Sequence, residues 1–179
     1  MSFDLTLFNL IHGLAGKSKI LDLLGIFLAD YLGYFLIILV LYLIFYQLPV
    51  KDWQKRYQYF LFTALALILS RGLFTELIRF FYYRPRPFVA LNFTPLINHE
   101  SAAAFPSGHA AFYFALAFAV WVYDRRWGTI FIIGALLMGI ARVASGVHYP
   151  FDILGGILVA LISLFISKIL LNKFYNRTN

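Results

Sequence analysis

Cysteine is absent from this sequence, and charged residues are scarce. With no cysteine among 179 residues, disulfide bonds and thiolate metal sites are excluded. Asp, Glu, Lys and Arg make up 13% of the chain, against about a quarter in an average soluble domain. Hydrophobic residues make up 62%. These figures exclude an ordinary soluble protein and predict an integral membrane protein that forms a single domain over residues 1–179.

The N-terminus lacks the basic region, apolar core and cleavage site of a secretory signal, so we expect no removable signal peptide. The formal net charge is +7. The basic residues fall in short clusters between apolar runs and form no solvated basic face, so we expect no nucleic-acid partner. An anionic lipid surface and an anionic substrate suit them better. Nothing in the sequence indicates an obligatory protein partner.

Long apolar runs predict an all-α, polytopic membrane helix bundle. Five runs are candidates for spanning helices: 20–46, 57–83, 107–123, 129–144 and 151–171. A spanning helix takes about 20 residues, and the third and fourth runs fall near or below that length. We therefore expect their polar ends to lie below the lipid headgroups.

A short apolar segment, 3–14, precedes the first span. Its large apolar residues recur at helical spacing, but it is too short to cross a bilayer. Gly13 and Gly16 then break the pattern. We interpret the segment as a short N-terminal interfacial helix; the alternative is that it extends the first span.

Polar residues gather at the ends of the predicted spans. The three clusters are Arg79 with Arg84-Pro85-Arg86-Pro87; Pro106-Ser107-Gly108-His109; and Arg142, His148 and Asp152. With five spans, all three clusters share one membrane face. Charged groups at a membrane edge are costly to keep and usually functional. We therefore predict that the three clusters form one anion site.

The remaining loops carry most of the other basic residues. With five spans, one face holds Lys51, Lys55, Arg56, Arg125, Arg126, Lys168, Lys173 and Arg177. The positive-inside rule places this face in the cytoplasm and the polar clusters outside, provided that the arginines of the clusters are reserved for substrate.

The clusters contain the groups that phosphate chemistry requires. Arginine forks suit bidentate phosphate binding, and a helix that starts near Ser107 and Gly108 presents N–H groups to an anion. His109 could protonate a leaving oxygen. Asp152 could hold one nitrogen of His148 and leave the other to attack phosphorus.

Each cluster also has a structural interpretation. The arginines could extend to the lipid headgroups, His109 could be an interfacial histidine bonded to water, and Arg142 with Asp152 could be an ion pair that caps two helices. Glu76 and Arg79 form an i,i+3 pair with Arg71 nearby, which we interpret as a buried charge network that orients Arg79. Asp30, within the first span, needs a partner that the sequence does not identify.

The three clusters together resemble the signature motifs of the type 2 phosphatidic acid phosphatase family. The family pattern is a lysine, six residues and Arg-Pro; Pro-Ser-Gly-His; and Ser-Arg, five residues, His, three residues and Asp. The resemblance implies that His148 is a nucleophile forming a phospho-histidine, that Asp152 orients it, and that His109 is the general acid. It implies a phosphate site and no metal or other cofactor; the site residues would be Arg79, Arg86, Arg142, Ser107 and Gly108.

Two positions depart from the family pattern. Arg79 replaces the lysine, which keeps the charge but changes its reach. Ala141 replaces the serine before Arg142, and losing one such hydroxyl donor costs on the order of 1–3 kcal/mol of transition-state binding. The nucleophile is retained, so we expect an active enzyme.

The stretch 84–90 and Ile11-His12-Gly13-Leu14 are similar to bacterial undecaprenyl-pyrophosphate phosphatases of this family. Arg84 or His99 could hold the second phosphate of such a substrate. This resemblance implies a bacterial cytoplasmic membrane location. Phosphatidylglycerophosphate, phosphatidic acid and lipid A phosphates are alternative substrates. A transporter and a non-catalytic lipid-binding protein are the alternatives from other classes, although the sequence shows no paired halves.

Overall fold

The computed structural model describes residues 3–47 and 53–178, and all of its regular elements are helices. The helices are α1 (Phe3–His12), α2 (Lys19–Tyr46), α3 (Trp53–Phe81), α4 (Pro87–Ala90), α5 (Gly108–Tyr123), α6 (Arg125–Ala144) and α7 (Pro150–Thr178). The predicted all-α membrane bundle is confirmed. Lys51, counted above among the basic loop residues, lies outside the described residues.

Four helices are long and apolar enough to cross a membrane: α2, α3, α6 and the Pro150–Lys173 part of α7. Helix α5 is apolar but has only 16 residues, about 24 Å of helix against a hydrocarbon core of about 30 Å. It corresponds to the third predicted span, which the sequence also indicates to be short.

The fourth predicted span proves longer than expected. Helix α6 begins at Arg125 and not at residue 129, and it has 20 residues. The backbone N–H of Trp127 donates to Oδ1 of Asp124 at 3.0 Å, so Asp124 caps the helix four residues earlier than the apolar run begins. The prediction of a short fourth span is therefore wrong.

Helix α5 lies at the centre of the bundle and packs against α3, α6 and α7. Much of its buried surface is alanine, which lets neighbouring helices approach closely. Because α5 begins between the end of α6 and the start of α7, its first turn is brought to the residues that join those two helices.

Helix α1 is a separate helix, so it does not extend the first span. Residues 13–18 form a turn in which Gly16 has a φ of +77°, a conformation that favours glycine. The ring nitrogen Nδ1 of His12 lies 2.8 Å from the carbonyl oxygen of Ala144, and Phe8 is buried against Tyr149. These contacts dock α1 onto the junction of α6 and α7.

Two helices contain π-helical stretches that the sequence pattern did not indicate. They are Phe27–Tyr31 in α2, Leu43–Gln47 at the end of α2, and Ile68–Phe74 in α3. The first and the third each carry one charged residue, Asp30 and Arg71 respectively. Insertions of this kind are frequent at functional sites because they redirect side chains away from regular helical spacing.

Candidate active site

The turn between α6 and α7 places His148 inside the protein. Gly146 in this turn has a φ of +83°, and a Cβ atom there would lie 2.6 Å from the ring of Phe93. Only glycine fits such a position without strain. The chain that follows carries His148 inward, where its side chain is 1% exposed. Helix α7 then begins at Pro150.

Arg86 determines which nitrogen of His148 is free. Nη1 of Arg86 lies 3.0 Å from Nε2 of the histidine. Because a guanidinium only donates hydrogen bonds, Nε2 must be the unprotonated nitrogen and Nδ1 must carry the proton. Burial, followed by the charges of Arg142 and Arg86, lowers the pKa of His148 well below its usual 6.5. The imidazole is therefore neutral at physiological pH, with its lone pair directed towards an arginine.

Arg86 is itself buried and held by backbone carbonyls. Its Nε donates to the carbonyl oxygen of Ala102 at 3.1 Å, and Nη1 donates to that of Val147 at 2.9 Å. Burial, followed by the charge of Arg79, lowers the pKa of Arg86 to about 10, so that it is still a cation at neutral pH. Because these hydrogen-bond acceptors are neutral, they do not balance the charge of Arg86, which remains available to an anion.

Asp152 lies behind His148 in the first turn of α7 and is fully buried. Its Oδ2 accepts a hydrogen bond from the backbone N–H of Tyr149 at 2.8 Å and lies 3.5 Å from Nδ1 of His148. That distance is longer than a normal hydrogen bond, and catalytic contacts of this kind often shorten when substrate binds. The carboxylate thus faces the nitrogen that carries the proton.

Arg84 lies on the far side of Asp152 from His148. Its Nη1 donates to Oδ1 of Asp152 at 2.7 Å, and its Nη2 donates to Oδ2 of Asp4 at 2.5 Å. Sequence reasoning made Arg84 a candidate phosphate ligand. Its two ion pairs favour a different role, in which it holds the carboxylate that orients the histidine.

The first turn of α5 carries the second cluster. Ser107 caps the helix, since its Oγ accepts a hydrogen bond from Ala110 N at 3.4 Å, and its backbone N–H donates to the carbonyl oxygen of Asp152 at 2.9 Å. A Cβ atom on Gly108 would lie 2.7 Å from Nε of Arg71, so a glycine here lets that side chain pack on the backbone. The N-terminal N–H groups of α5 therefore lie beside cations.

Three histidines are neighbours at this site. The ring of His99 lies 6.1 Å from that of His148 and 6.5 Å from that of His109, measured between centroids. Burial, followed by the charges of Arg86 and Arg142, lowers the pKa of His99 to about 4. His99 is therefore uncharged at neutral pH and would meet a second phosphate as a hydrogen-bonding group only.

Arg79 and Arg142 have buried N–H groups that need an acceptor. Nε of each has no hydrogen-bond partner within the part of the chain that the structure describes. Arg79 also donates through Nη2 to the carbonyl oxygen of Pro106 at 3.0 Å, which ties it to the second cluster. Buried donors without an acceptor are costly, and phosphate oxygens would satisfy them.

Asp30, which lacked a partner in the sequence analysis, pairs with Arg142. Its Oδ1 lies 3.7 Å from Nη1 of Arg142, and the same nitrogen donates to the carbonyl oxygen of Ala29 at 3.2 Å. The π-helical stretch of α2 supplies both groups. Nothing in the sequence spacing relates Asp30 to Arg142, because 112 positions separate them.

One other predicted feature differs in the structure. Glu76 pairs with both Arg71 and Arg79, but Glu76 and Arg71 are about half exposed, so the predicted charge network is not buried. Ala141, where the family pattern has serine, packs with Ala29 and Val147 in an apolar cluster. The sequence pattern did not identify Asp4 as a site residue. Its one signal is that it is the lone carboxylate of the apolar segment 3–14.

The assembled site is rich in arginines and has a buried imidazole, that of His148, at its base. Arg86 contacts His148, the charges of Arg79 and Arg142 act on the neighbouring His99, and Asp152 faces the other ring nitrogen of His148. No group of three or more His, Cys, Asp or Glu side chains able to hold a metal ion occurs among residues 3–47 and 53–178. A metal-independent reaction stays a prediction.

Comparisons with known proteins agree with this chemistry. Residues 60–176 match the family model described as the PAP2 superfamily. The chain is 34% identical over 158 residues to undecaprenyl-diphosphatase BcrC of Bacillus subtilis (strain 168), a match that covers 87% of this chain and 78% of that protein.

Two solved structures have the same fold. The crystal structure of Aquifex aeolicus LpxE superimposes with a TM-score of 0.76 and 26% identity, over 93% of this chain and 95% of that one. The crystal structure of a PAP2 type phosphatidylglycerolphosphate phosphatase from Bacillus subtilis superimposes with a TM-score of 0.60 and 25% identity, over 97% and 88% of the two chains.

Proposed function

The chain belongs to the PAP2 superfamily and is a multi-pass membrane lipid phosphatase, and we propose that it converts undecaprenyl pyrophosphate to the monophosphate. The reaction proceeds through a phospho-histidine on His148. The observation that carries the mechanism is the position of His148 between Arg86 and Asp152, with Nε2 unprotonated and facing the arginines.

In the first step, Nε2 of His148 attacks the terminal phosphorus of the diphosphate. The new N–P bond forms as the bridging P–O bond breaks. Arg79, Arg86 and Arg142 balance the charge of the phosphoryl oxygens, and Asp152 stabilises the imidazolium that develops. His109 donates a proton to the departing oxygen of the lipid monophosphate.

In the second step, a water molecule replaces the histidine on phosphorus. His109, now unprotonated, accepts a proton from the water as its oxygen attacks, and the N–P bond breaks. Inorganic phosphate leaves, His148 returns to its neutral form, and His109 is again protonated. All atoms and charges are recovered, and no metal enters the cycle.

The choice of substrate rests on similarity and on charge. The relative BcrC is named as an undecaprenyl-diphosphatase and matches most of the chain. In addition, Arg71 of α3 packs on Gly108 in the first turn of α5 and is about half exposed, so its guanidinium, which pairs with Glu76, adds a cation beside the buried arginines. A diphosphate has a second phosphate that such a cation would hold.

We infer that the protein lies in the bacterial cytoplasmic membrane with its site facing outside. The ends of the helices opposite the site carry basic residues: Lys55 and Arg56 near the start of α3, Arg125 and Arg126 at the start of α6, and Lys168 and Lys173 late in α7. The positive-inside rule supports a cytoplasmic position for these ends. The short helix α5 would then set the site below the outer headgroups.

The substrate proposal is tested by comparing initial rates on undecaprenyl pyrophosphate, phosphatidylglycerophosphate, phosphatidic acid and a lipid A phosphate in matched detergent micelles. We expect the highest kcat/KM on undecaprenyl pyrophosphate. Equal values across the panel would show that the substrate proposal is too narrow. No phosphate release from any member would favour a lipid-binding protein or a transporter over the catalytic mechanism.

A further inference from the structure

A line of charged groups leads from helix α1 to the nucleophile. Asp4 lies 2.5 Å from Arg84, Arg84 lies 2.7 Å from Oδ1 of Asp152, and Oδ2 of Asp152 lies 3.5 Å from Nδ1 of His148. Asp4, on helix α1, is 144 positions away from His148 in the sequence. No spacing motif relates the two, and the mechanism above makes no use of Asp4 or Arg84.

Asp4 is fixed at both of its oxygens. Oδ2 pairs with Arg84, and Oδ1 accepts a hydrogen bond from the backbone N–H of Phe151 at 2.9 Å. The residue is only 5% exposed. A carboxylate is costly to bury unless it is paired and hydrogen-bonded, and here both conditions hold. Asp4 therefore has a defined orientation at the first turn of α7.

Arg84 is equally restricted. Its guanidinium carbon lies 4.1 Å above the ring of Tyr149, and its two terminal nitrogens each pair with a carboxylate. With one aromatic face and two carboxylates around it, the guanidinium has little freedom to turn towards a phosphate on the other side of Asp152.

We propose that Asp4 and Arg84 are positioning residues that act through Asp152 on His148, an inference that rests on the proposed phospho-histidine mechanism. Arg84 fixes Oδ1 of Asp152 and leaves Oδ2 for the histidine. The two carboxylates and the guanidinium carry one net negative charge. That charge balances the imidazolium that forms when His148 attacks phosphorus, so Asp4 supplies a stabilising charge in the transition state without contacting the substrate.

The competing role for Arg84 is direct contact with phosphate. A phosphate ligand contributes to substrate binding, so its loss raises KM. A positioning residue contributes only as the imidazolium develops, so its loss lowers kcat and leaves KM nearly unchanged. The division of the effect between kcat and KM therefore separates the two roles.

The experiment measures kcat and KM for Asp4→Asn, Asp4→Glu, Arg84→Gln and the double variant Asp4→Asn/Arg84→Gln. We expect each neutralising single variant to lower kcat about tenfold or more, with KM changed less than about threefold. Asp4→Glu keeps the charge and should recover most of the activity. Arg84→Gln leaves the buried carboxylates of Asp4 and Asp152 without their shared cation, which is costly. The double variant removes one of these carboxylates and keeps one net negative charge, so it should be more active than Arg84→Gln alone. A rise in KM for Arg84→Gln, or multiplicative losses in the double variant, would contradict the proposal.

The matched control is Phe8→Leu, one turn along α1 from Asp4. Phe8 is fully buried against Tyr149 and so contributes to the docking of α1 without carrying charge. We expect kcat within about threefold of the wild type. If Phe8→Leu lowers kcat as much as Asp4→Asn, the role of α1 is packing alone and the proposal is wrong.

A spectroscopic measurement makes the test independent of turnover. The Nδ1–H proton of His148 is observed by NMR in protein labelled with ¹⁵N-histidine and is assigned by its loss in His148→Ala. We expect its resonance to shift in Asp4→Asn and Arg84→Gln and to keep its wild-type position in Phe8→Leu. An unchanged resonance in both charge variants would refute the proposal even if the wild type hydrolysed none of the lipids. If the wild type and both charge variants were fully active and His148→Ala were inactive, the positioning role of Asp4 and Arg84 would be refuted and the proposed function would stand.

Discussion

Nη1 of Arg86 lies 3.0 Å from Nε2 of His148, so one cation both faces the proposed phosphate site and fixes the tautomer of the histidine. This contact explains how an imidazole in a site rich in positive charge keeps a lone pair available. It also means that Arg86 has two tasks, which a point charge on a flexible chain would not reproduce.

Replacing Arg86 by lysine tests these two tasks. Lysine keeps the charge but loses the planar fork that contacts His148 and the carbonyl oxygens of Ala102 and Val147. We predict that kcat/KM falls about tenfold to hundredfold, because one or two charge-assisted hydrogen bonds are lost. The measurement is steady-state hydrolysis in detergent, with thermal unfolding of the same preparation as the control for folding. Full activity in a folded Arg86→Lys variant would show that charge alone is sufficient.

His109 as general acid predicts a dependence on the leaving group. We expect His109→Gln to lower the rate on a lipid diphosphate by about 10²–10⁴, the usual contribution of a positioned acid or base. With p-nitrophenyl phosphate, whose leaving group needs little protonation, the loss in the phosphorylation step should be much smaller. Rapid-quench measurement of phospho-enzyme formation compares the two substrates. Equal losses on both would remove His109 from the role of acid.

The lowered pKa of His148 predicts the acid limb of the pH profile. Because burial and the charges of Arg142 and Arg86 hold the pKa below 6.5, the neutral nucleophile persists as the pH falls through 6.5. The kcat/KM profile reports the free enzyme, so its acid limb for His148 should have a midpoint below 6.5. The pKa of the substrate phosphate is measured separately, and its contribution to the pH profile is removed.

A variant without one of these charges provides the matched comparison. Arg142→Gln removes a cation that lowers the pKa of His148, so the acid limb should move to higher pH while the maximal rate also falls. A wild-type midpoint at or above 6.5, or a limb that does not move in Arg142→Gln, would disagree with the electrostatics of the site.

The use of arginines to balance the phosphate charge predicts insensitivity to metal removal. Rates measured with and without EDTA should be equal within error, after dialysis against the chelator. Vanadate should inhibit competitively, since it adopts the five-coordinate geometry of the phosphoryl group and would be held by Arg79, Arg86 and Arg142. Loss of activity in EDTA that added Mg²⁺ restores would contradict the mechanism.

The membrane helices could be predicted from the sequence because each apolar run is long and bounded by polar residues. The three motif clusters could also be brought together, because counting the spans places them on one face. Both inferences use information that lies within one helix or at its ends.

What the sequence did not reveal are contacts made between distant segments. Asp30 meets Arg142, and Asp4 meets Arg84, across 112 and 80 positions. Asp30 lies on a π-helical stretch, where regular helical spacing does not apply. Asp4 lies on the short helix α1, whose spacing does not indicate which segment Asp4 contacts. The early start of α6 was missed because Asp124, a polar residue, caps a helix whose first turn is basic.

The proposed mechanism requires that His148 becomes covalently phosphorylated, which rapid-quench labelling with a lipid diphosphate carrying ³²P at its terminal phosphate detects. We expect an acid-labile, base-stable label on the wild-type protein that maps to the peptide containing residue 148. The label should be absent from His148→Ala, which should release no phosphate. Labelling of the His148→Ala variant, or phosphate release from it at the wild-type rate, would show that His148 is not the nucleophile.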